Sequence, residues 1–196
     1  MQIKSIILYN AAGETRILPF QLGKVNIITG RSRTGKTAII DIVDYCLGRP
    51  EFRVFEGVNR DTVAWYAVIF QMGENQILIA KPAPSGTQVR QTQVYYEVGV
   101  DISPPPVSKL VPNSNDDAVV QELSERIGIS PNLNIPETDQ SRDPLEANIR
   151  HTTYYLFQKQ TIIARRRYST ANKSHSCHRR SKIRFLISSV LFGKTT

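Results

Sequence analysis

Val25-Asn26-Ile27-Ile28-Thr29-Gly30-Arg31-Ser32-Arg33-Thr34-Gly35-Lys36-Thr37-Ala38-Ile39-Ile40-Asp41-Ile42-Val43 is the stretch on which the reading of the fold turns. Residues 25–29 have the pattern of a buried strand. Residues 30–37 spell a complete G-x-x-x-x-G-K-T loop, and residues 36–47 are apolar enough for a packed helix that stops at Gly48, with Pro50 just beyond. A phosphate-binding loop needs this strand–loop–helix order. Two glycines let the backbone curl until its N–H groups point inward, and the positive end of the helix dipole adds to the field on an anion. In such a loop Lys36 reaches the β- and γ-phosphates of a nucleotide, and the Thr37 hydroxyl ligates Mg²⁺. The expected nucleotide-binding residues are therefore Gly30, Arg31, Ser32, Arg33, Thr34, Gly35, Lys36 and Thr37. Arg31 and Arg33 add positive charge, but the motif does not require them, and they read as solvated loop arginines.

Outward from the loop, the pattern is mostly β. Residues 2–9 alternate as a strand, 10–14 turn, and 15–20 return as a hairpin. Residues 62–71 form a strong strand, 72–75 a turn, 76–81 its return, and 93–100 a further strand. The region after the loop's helix is thus expected to be mainly antiparallel β. Ser103-Pro104-Pro105-Pro106 reads as a stiff connector, and 107–112 is ambiguous. Residues 116–127 form an amphipathic helix, with Asn115 as N-cap and Gly128 as stop. Residues 130–144 read as a loop, 145–152 as a helix start and 153–158 as a strand. The chain shows no internal repeat.

Composition narrows the classes. The chain has 196 residues with 40% hydrophobic content, which is globular. No apolar run approaches the roughly 20 residues of a membrane span. Residues 1–9 do not read as a signal peptide. Cys46 and Cys177 give no disulfide framework, and Cys46 reads as a core residue. A cytoplasmic location is the expectation. The net charge of +8 belongs to one end: nine of the 25 Lys and Arg, and none of the 17 Asp and Glu, lie from Arg165 onward, so residues 1–164 carry a net charge of −1. The usual inference from a basic protein to nucleic acid does not extend to the folded part.

The order hairpin, phosphate loop, antiparallel lobe resembles the ABC-type ATPase heads of the SMC, Rad50 and RecN group. The likeness rests on Leu22-Gly23-Lys24-Val25-Asn26-Ile27-Ile28-Thr29-Gly30 through Tyr45-Cys46-Leu47-Gly48. More closely, residues 1 to 168 resemble a bacterial group of SMC-like ATPases, the domain of unknown function 3732 family. Two departures are that Ser32 stands where the group has Asn, and Thr37 where it has Ser; Thr37 is chemically equivalent toward Mg²⁺. The resemblance implies an α/β fold: a truncated P-loop NTPase, the N-terminal lobe of an ABC/SMC-like head with an antiparallel β subdomain. It also implies ATP and Mg²⁺ as ligands, and a parent protein that hydrolyses ATP between two heads in a head-to-head homodimer and acts on DNA or protein partners, with no membrane. Gln160, in Gln160-Thr161-Ile162-Ile163, fits the group's Q-loop spacing. The resemblance gives it contact with Mg²⁺ and the attacking water, and makes Lys36 and Gln160 the catalytic pair.

A head of this kind also needs a Walker B acid, a catalytic Glu and a signature loop. No apolar strand ending in Asp-Glu, and no Ser-Gly-Gly-like loop, follows Gln160. The expectation is therefore nucleotide binding with little hydrolysis by this chain alone. Residues 169–196 are acid-free and unlike what precedes them; the expectation is a basic tail that is either the product of a reading-frame shift near Tyr168, and so without a designed partner, or disordered. His175-Ser176-Cys177-His178 lacks a second ligand pair for zinc. The alternative function is a non-enzymatic nucleic-acid-binding module that uses this tail. A GTPase would need Asn-Lys-x-Asp, and Asn172-Lys173-Ser174-His175 lacks the Asp.

Overall fold

The computed structural model describes residues 1–31, 35–54, 58–86, 88–135 and 145–156. The elements in chain order are β1 (Gln2–Asn10), β2 (Thr15–Pro19), α1 (Ala38–Cys46), α2 (Val58–Asp61), β3 (Val63–Met72), β4 (Asn75–Pro82), β5 (Gln93–Gly99), a 3-10 turn (Val107–Lys109), β6 (Ser114–Asn115), α3 (Asp116–Arg126) and α4 (Ile149–Leu156). The chain is mixed α/β. Among the described residues its sheet has six strands in the order β2-β1-β3-β4-β5-β6, and every neighbouring pair is antiparallel. Both expected hairpins, β1–β2 and β3–β4, are present.

β3 and β4 are buried on both faces, which is why Tyr66-Ala67-Val68-Ile69-Phe70 and Ile77-Leu78-Ile79-Ala80 read as continuous apolar runs. On one face Ile6, Leu8, Tyr66, Val68, Phe70, Ile77, Ile79 and Val94 cluster with Ile39, Ile42, Val43 and Cys46 of α1 and with Val119, Val120 and Leu123 of α3. On the other, Ile7, Tyr9, Ala67, Ile69, Leu78 and Ala80 are covered by Ile102 and Leu110 from the proline-rich connector after β5. Gln76 fixes the start of that cover: its Oε1 accepts from the Ile102 N–H at 2.8 Å and from Lys4 Nζ at 3.0 Å.

Two expectations are corrected. Residues 25–29 do not form a strand of this sheet: only Ile27 makes an isolated bridge, and Val25 is 78% exposed. A strand needs a neighbour to take its N–H and C=O groups. Among the described residues no ladder takes those groups; Asn26 instead closes a turn, its side chain bonding the backbone of Gln21 and Lys24. Residues 153–156 are helical, not extended. The hydroxyls of Thr152 and Thr153 donate to the carbonyls of Ile149 (2.6 Å) and Arg150 (2.7 Å). β-branched threonines are thereby held in a helix whose composition reads as strand.

α3 begins as expected, with Asn115 Oδ1 accepting from the Ala118 N–H at 2.9 Å. Among the described residues no helix is long and apolar enough to cross a membrane.

Candidate functional site

Of the expected loop, Gly30, Arg31, Gly35, Lys36 and Thr37 are described; Ser32, Arg33, Thr34 and the Q-loop candidate Gln160 lie outside the described residues, as does the tail. The approach to the loop is fixed by Asn26. Its Oδ1 accepts from the Gln21 N–H at 2.8 Å, and its Nδ2 donates to the carbonyls of Gln21 (2.9 Å) and Lys24 (3.0 Å). The turn so tied is docked onto β1, because the Gly23 N–H donates to Gln2 Oε1 at 3.0 Å.

Gly35 has φ +78°, a left-handed conformation that costs an L side chain about 1 kcal/mol or more. This residue redirects the chain into α1. The helix then opens through tight turns: the N–H groups of Ala38, Ile39 and Ile40 donate to the carbonyls of Gly35, Lys36 and Thr37 at 3.0, 3.4 and 3.2 Å. The Lys36 ammonium folds back over the loop, donating to the Gly30 carbonyl at 2.8 Å and to the Arg31 carbonyl. Thr37 is exposed and makes no side-chain capping bond. The described part of the loop thus carries a lysine tethered across it and a hydroxyl at the helix entrance.

The far end of α1 is buried chemistry that the sequence reading missed. Lys81 of β4 is fully buried; its Nζ lies 2.6 Å from Asp116 Oδ1, 3.0 Å from the Arg49 carbonyl and 4.1 Å from the centroid of the Tyr45 ring. Burial pulls the Lys81 pKa down and pushes that of Asp116 up, each opposed by the other's charge and hydrogen bond. The Tyr45 hydroxyl donates to the Pro82 carbonyl at 2.7 Å. The Cys46 thiol, within 3.6 Å of the Tyr66 carbonyl, is pushed up to about 12 by burial and stays protonated. It is a core donor, as expected, and no nucleophile. Lys is almost never fully buried unless paired, but at the end of β4 Lys81 carries no local signal of its partner.

Beside α3 lies a groove of about 400 Å³ lined by Asp117, Gln121, Glu125, Glu146, Asn148 and Arg150, among others; Gly30, Arg31, Gly35, Lys36 and Thr37 do not line it. Among the described residues no three His, Cys, Asp or Glu side chains converge as a metal-binding group. Compared with protein-family models, with curated proteins and with solved structures, the chain has no significant match.

Proposed function

We propose that residues 30–37 bind the phosphates of ATP with Mg²⁺, as part of the N-terminal lobe of an SMC/Rad50-like P-loop ATPase head related to the domain of unknown function 3732 family. The observation that carries this reading is the left-handed Gly35 directly ahead of Lys36, Thr37 and α1. Only a glycine enters that turn without strain, and the turn leads into a helix N-terminus, where anions are favoured.

The donor set fits the ligand. On binding, Lys36 exchanges the carbonyls of Gly30 and Arg31 for phosphate oxygens, a stronger charge-assisted pairing. Thr37 offers a hydroxyl, a hard oxygen suited to Mg²⁺, which otherwise relies on phosphate oxygens and water. The ion would neutralise charge on the phosphates. Gln160 would complete the site from the segment after α4. Hydrolysis, a head-to-head homodimer and action on DNA or a protein partner belong to the parent assembly, and the cytoplasm is the compartment. The charge balance of residues 1–164 favours this reading over nucleic-acid binding through the tail.

The test is a titration with fluorescently labelled ATP, with unlabelled ATP and GTP as competitors. Lys36→Ala is expected to weaken binding at least tenfold, about 1.4 kcal/mol. Equal affinity in the wild type and the variant overturns the assignment.

A further inference from the structure

α1 is a nine-residue lever. One end carries Gly35, Lys36 and Thr37; the other is gripped from three directions. From β4 come the Lys81 ammonium, under the Tyr45 ring and against the Arg49 carbonyl, and the Pro82 carbonyl that takes the Tyr45 hydroxyl. From β3 comes the Tyr66 carbonyl, facing the Cys46 thiol. From α3 come Asp116, paired with Lys81, and Val120, which lies against Gly48. The Arg49 guanidinium is itself paired to Asp44 within α1, so the carbonyl that Lys81 holds belongs to a segment already fastened to the helix.

We infer that Lys81 is a positioning residue for the phosphate loop, aiming α1 from the end opposite the loop. This rests on the phosphate-binding reading. A helix rises 1.5 Å per residue, so nine residues span about 13.5 Å, and a tilt of about 10° at the gripped end displaces the loop end by roughly 2 Å. Displacements of that order spoil a site built from directed donors. A buried ion pair suits this role better than it suits stabilisation, because its desolvation cost offsets most of its attraction. What it supplies is direction: one ammonium ties a carbonyl of the α1 terminus, a carboxylate opening α3 and an aromatic ring into one arrangement.

The experiment uses the full chain carrying Lys81→Met/Asp116→Leu, which replaces the pair by apolar groups of similar length. Amide hydrogen exchange and labelled-ATP titration are read together with the denaturation midpoint. The expected result is a midpoint close to wild type, exchange at residues 39–46 at least tenfold faster with β1 and β3 unchanged, and labelled-ATP affinity at least tenfold weaker. Lys81→Gln/Asp116→Asn removes both charges and keeps hydrogen-bonding groups at both positions; it should give the same changes at smaller size, and it serves if the apolar double variant does not fold. Unchanged α1 exchange overturns the inference whatever the titration gives, and faster exchange with unchanged affinity overturns the positioning role. A wild-type chain that binds no labelled ATP sinks the phosphate reading instead, and the exchange data then decide the anchoring of α1 by themselves.

Discussion

Gly48 and Val120 stand so close that a Cβ added to Gly48 would lie 2.3 Å from Val120 Cγ2 and 3.2 Å from the Asp116 carbonyl. The contact seats the end of α1 on the first turns of α3. Gly48 also has φ +89°, so the site is closed to a side chain by backbone conformation as well as by space. Gly48→Ala is expected to cost about 3 kcal/mol, from a left-handed alanine plus overpacking. Urea denaturation measures it. A loss under about 0.5 kcal/mol, the usual range of a surface change, would mean that α1 and α3 do not meet this way.

The pair beneath that contact makes a sharper prediction. Asp116 is 4% exposed, and its Oδ2 is buried with no hydrogen-bond partner among the described residues. Lys81→Met alone strands a buried carboxylate and should cost about 3–5 kcal/mol. Adding Asp116→Leu should restore stability to within about 1–2 kcal/mol of wild type. A double-mutant cycle reads the coupling; additive losses would contradict a buried, mutually dependent pair.

Arg90 and Glu51 join the segment after α1 to the connector between β4 and β5. They form an antiparallel bridge, and Arg90 Nη2 lies 3.1 Å from Glu51 Oε1. Burial tends to raise the Glu51 carboxyl, but the hydrogen bond and charge of Arg90, with the charge of Arg49, outweigh it and hold the pKa below its ordinary 4.5. A carboxyl with a depressed folded-state pKa contributes stability above its unfolded value, and that contribution is lost as pH falls through the folded value. Arg90 is 72% exposed, so Arg90→Ala should cost under about 1 kcal/mol at pH 7. The difference from wild type should shrink as the pH drops below 4.5. A gap that holds constant down to pH 3 would show that the arginine acts through packing rather than charge.

Ser124 carries the joint between α3 and α4. Its hydroxyl donates to the Val120 carbonyl at 2.6 Å and accepts from the Ile149 N–H at 2.9 Å, with Ile149 fully buried. Ser124→Ala leaves that buried N–H without its acceptor, and a loss of about 1–3 kcal/mol is expected. Hydrogen exchange should show α4 loosening before the sheet does. Uniform loosening of both would argue that α4 is not held through this residue.

What the sequence made legible here is what local pairing and periodicity encode. The β1–β2 and β3–β4 hairpins close over short turns, and α3 carries its own cap at Asn115. Residues 25–29 show the limit. An apolar run says that a segment can pair, but not with what, and among the described residues the side chain of Asn26 closes a turn on Gln21 and Lys24 instead. Lys81 shows a second limit. Its partner Asp116 lies 35 positions away on another element, so nothing local distinguishes a lysine at a strand end from one buried beneath a tyrosine ring. Thr152 and Thr153 show a third, since hydroxyl bonds to carbonyls three residues back overrode their strand-forming character. In the candidate site, the left-handed turn at Gly35 and the helix that follows Thr37 were legible because the stretch is contiguous. The grip on the far end of α1 was not, because it is assembled from β3, β4 and α3.

The left-handed turn at Gly35 is where an experiment can tell the proposed phosphate site from a loop that merely matches its spelling. Gly35→Ala forces an alanine into φ near +78° or lets the chain relax away from it. If the turn serves only chain folding, the variant loses about 1–2 kcal/mol of stability and little else, since Lys36 remains in place. If the turn aims the start of α1 at phosphate, labelled-ATP affinity should fall at least tenfold even in conditions where the variant is fully folded. Retained affinity together with reduced stability would assign Gly35 to the fold alone and leave the helix entrance without a role in binding.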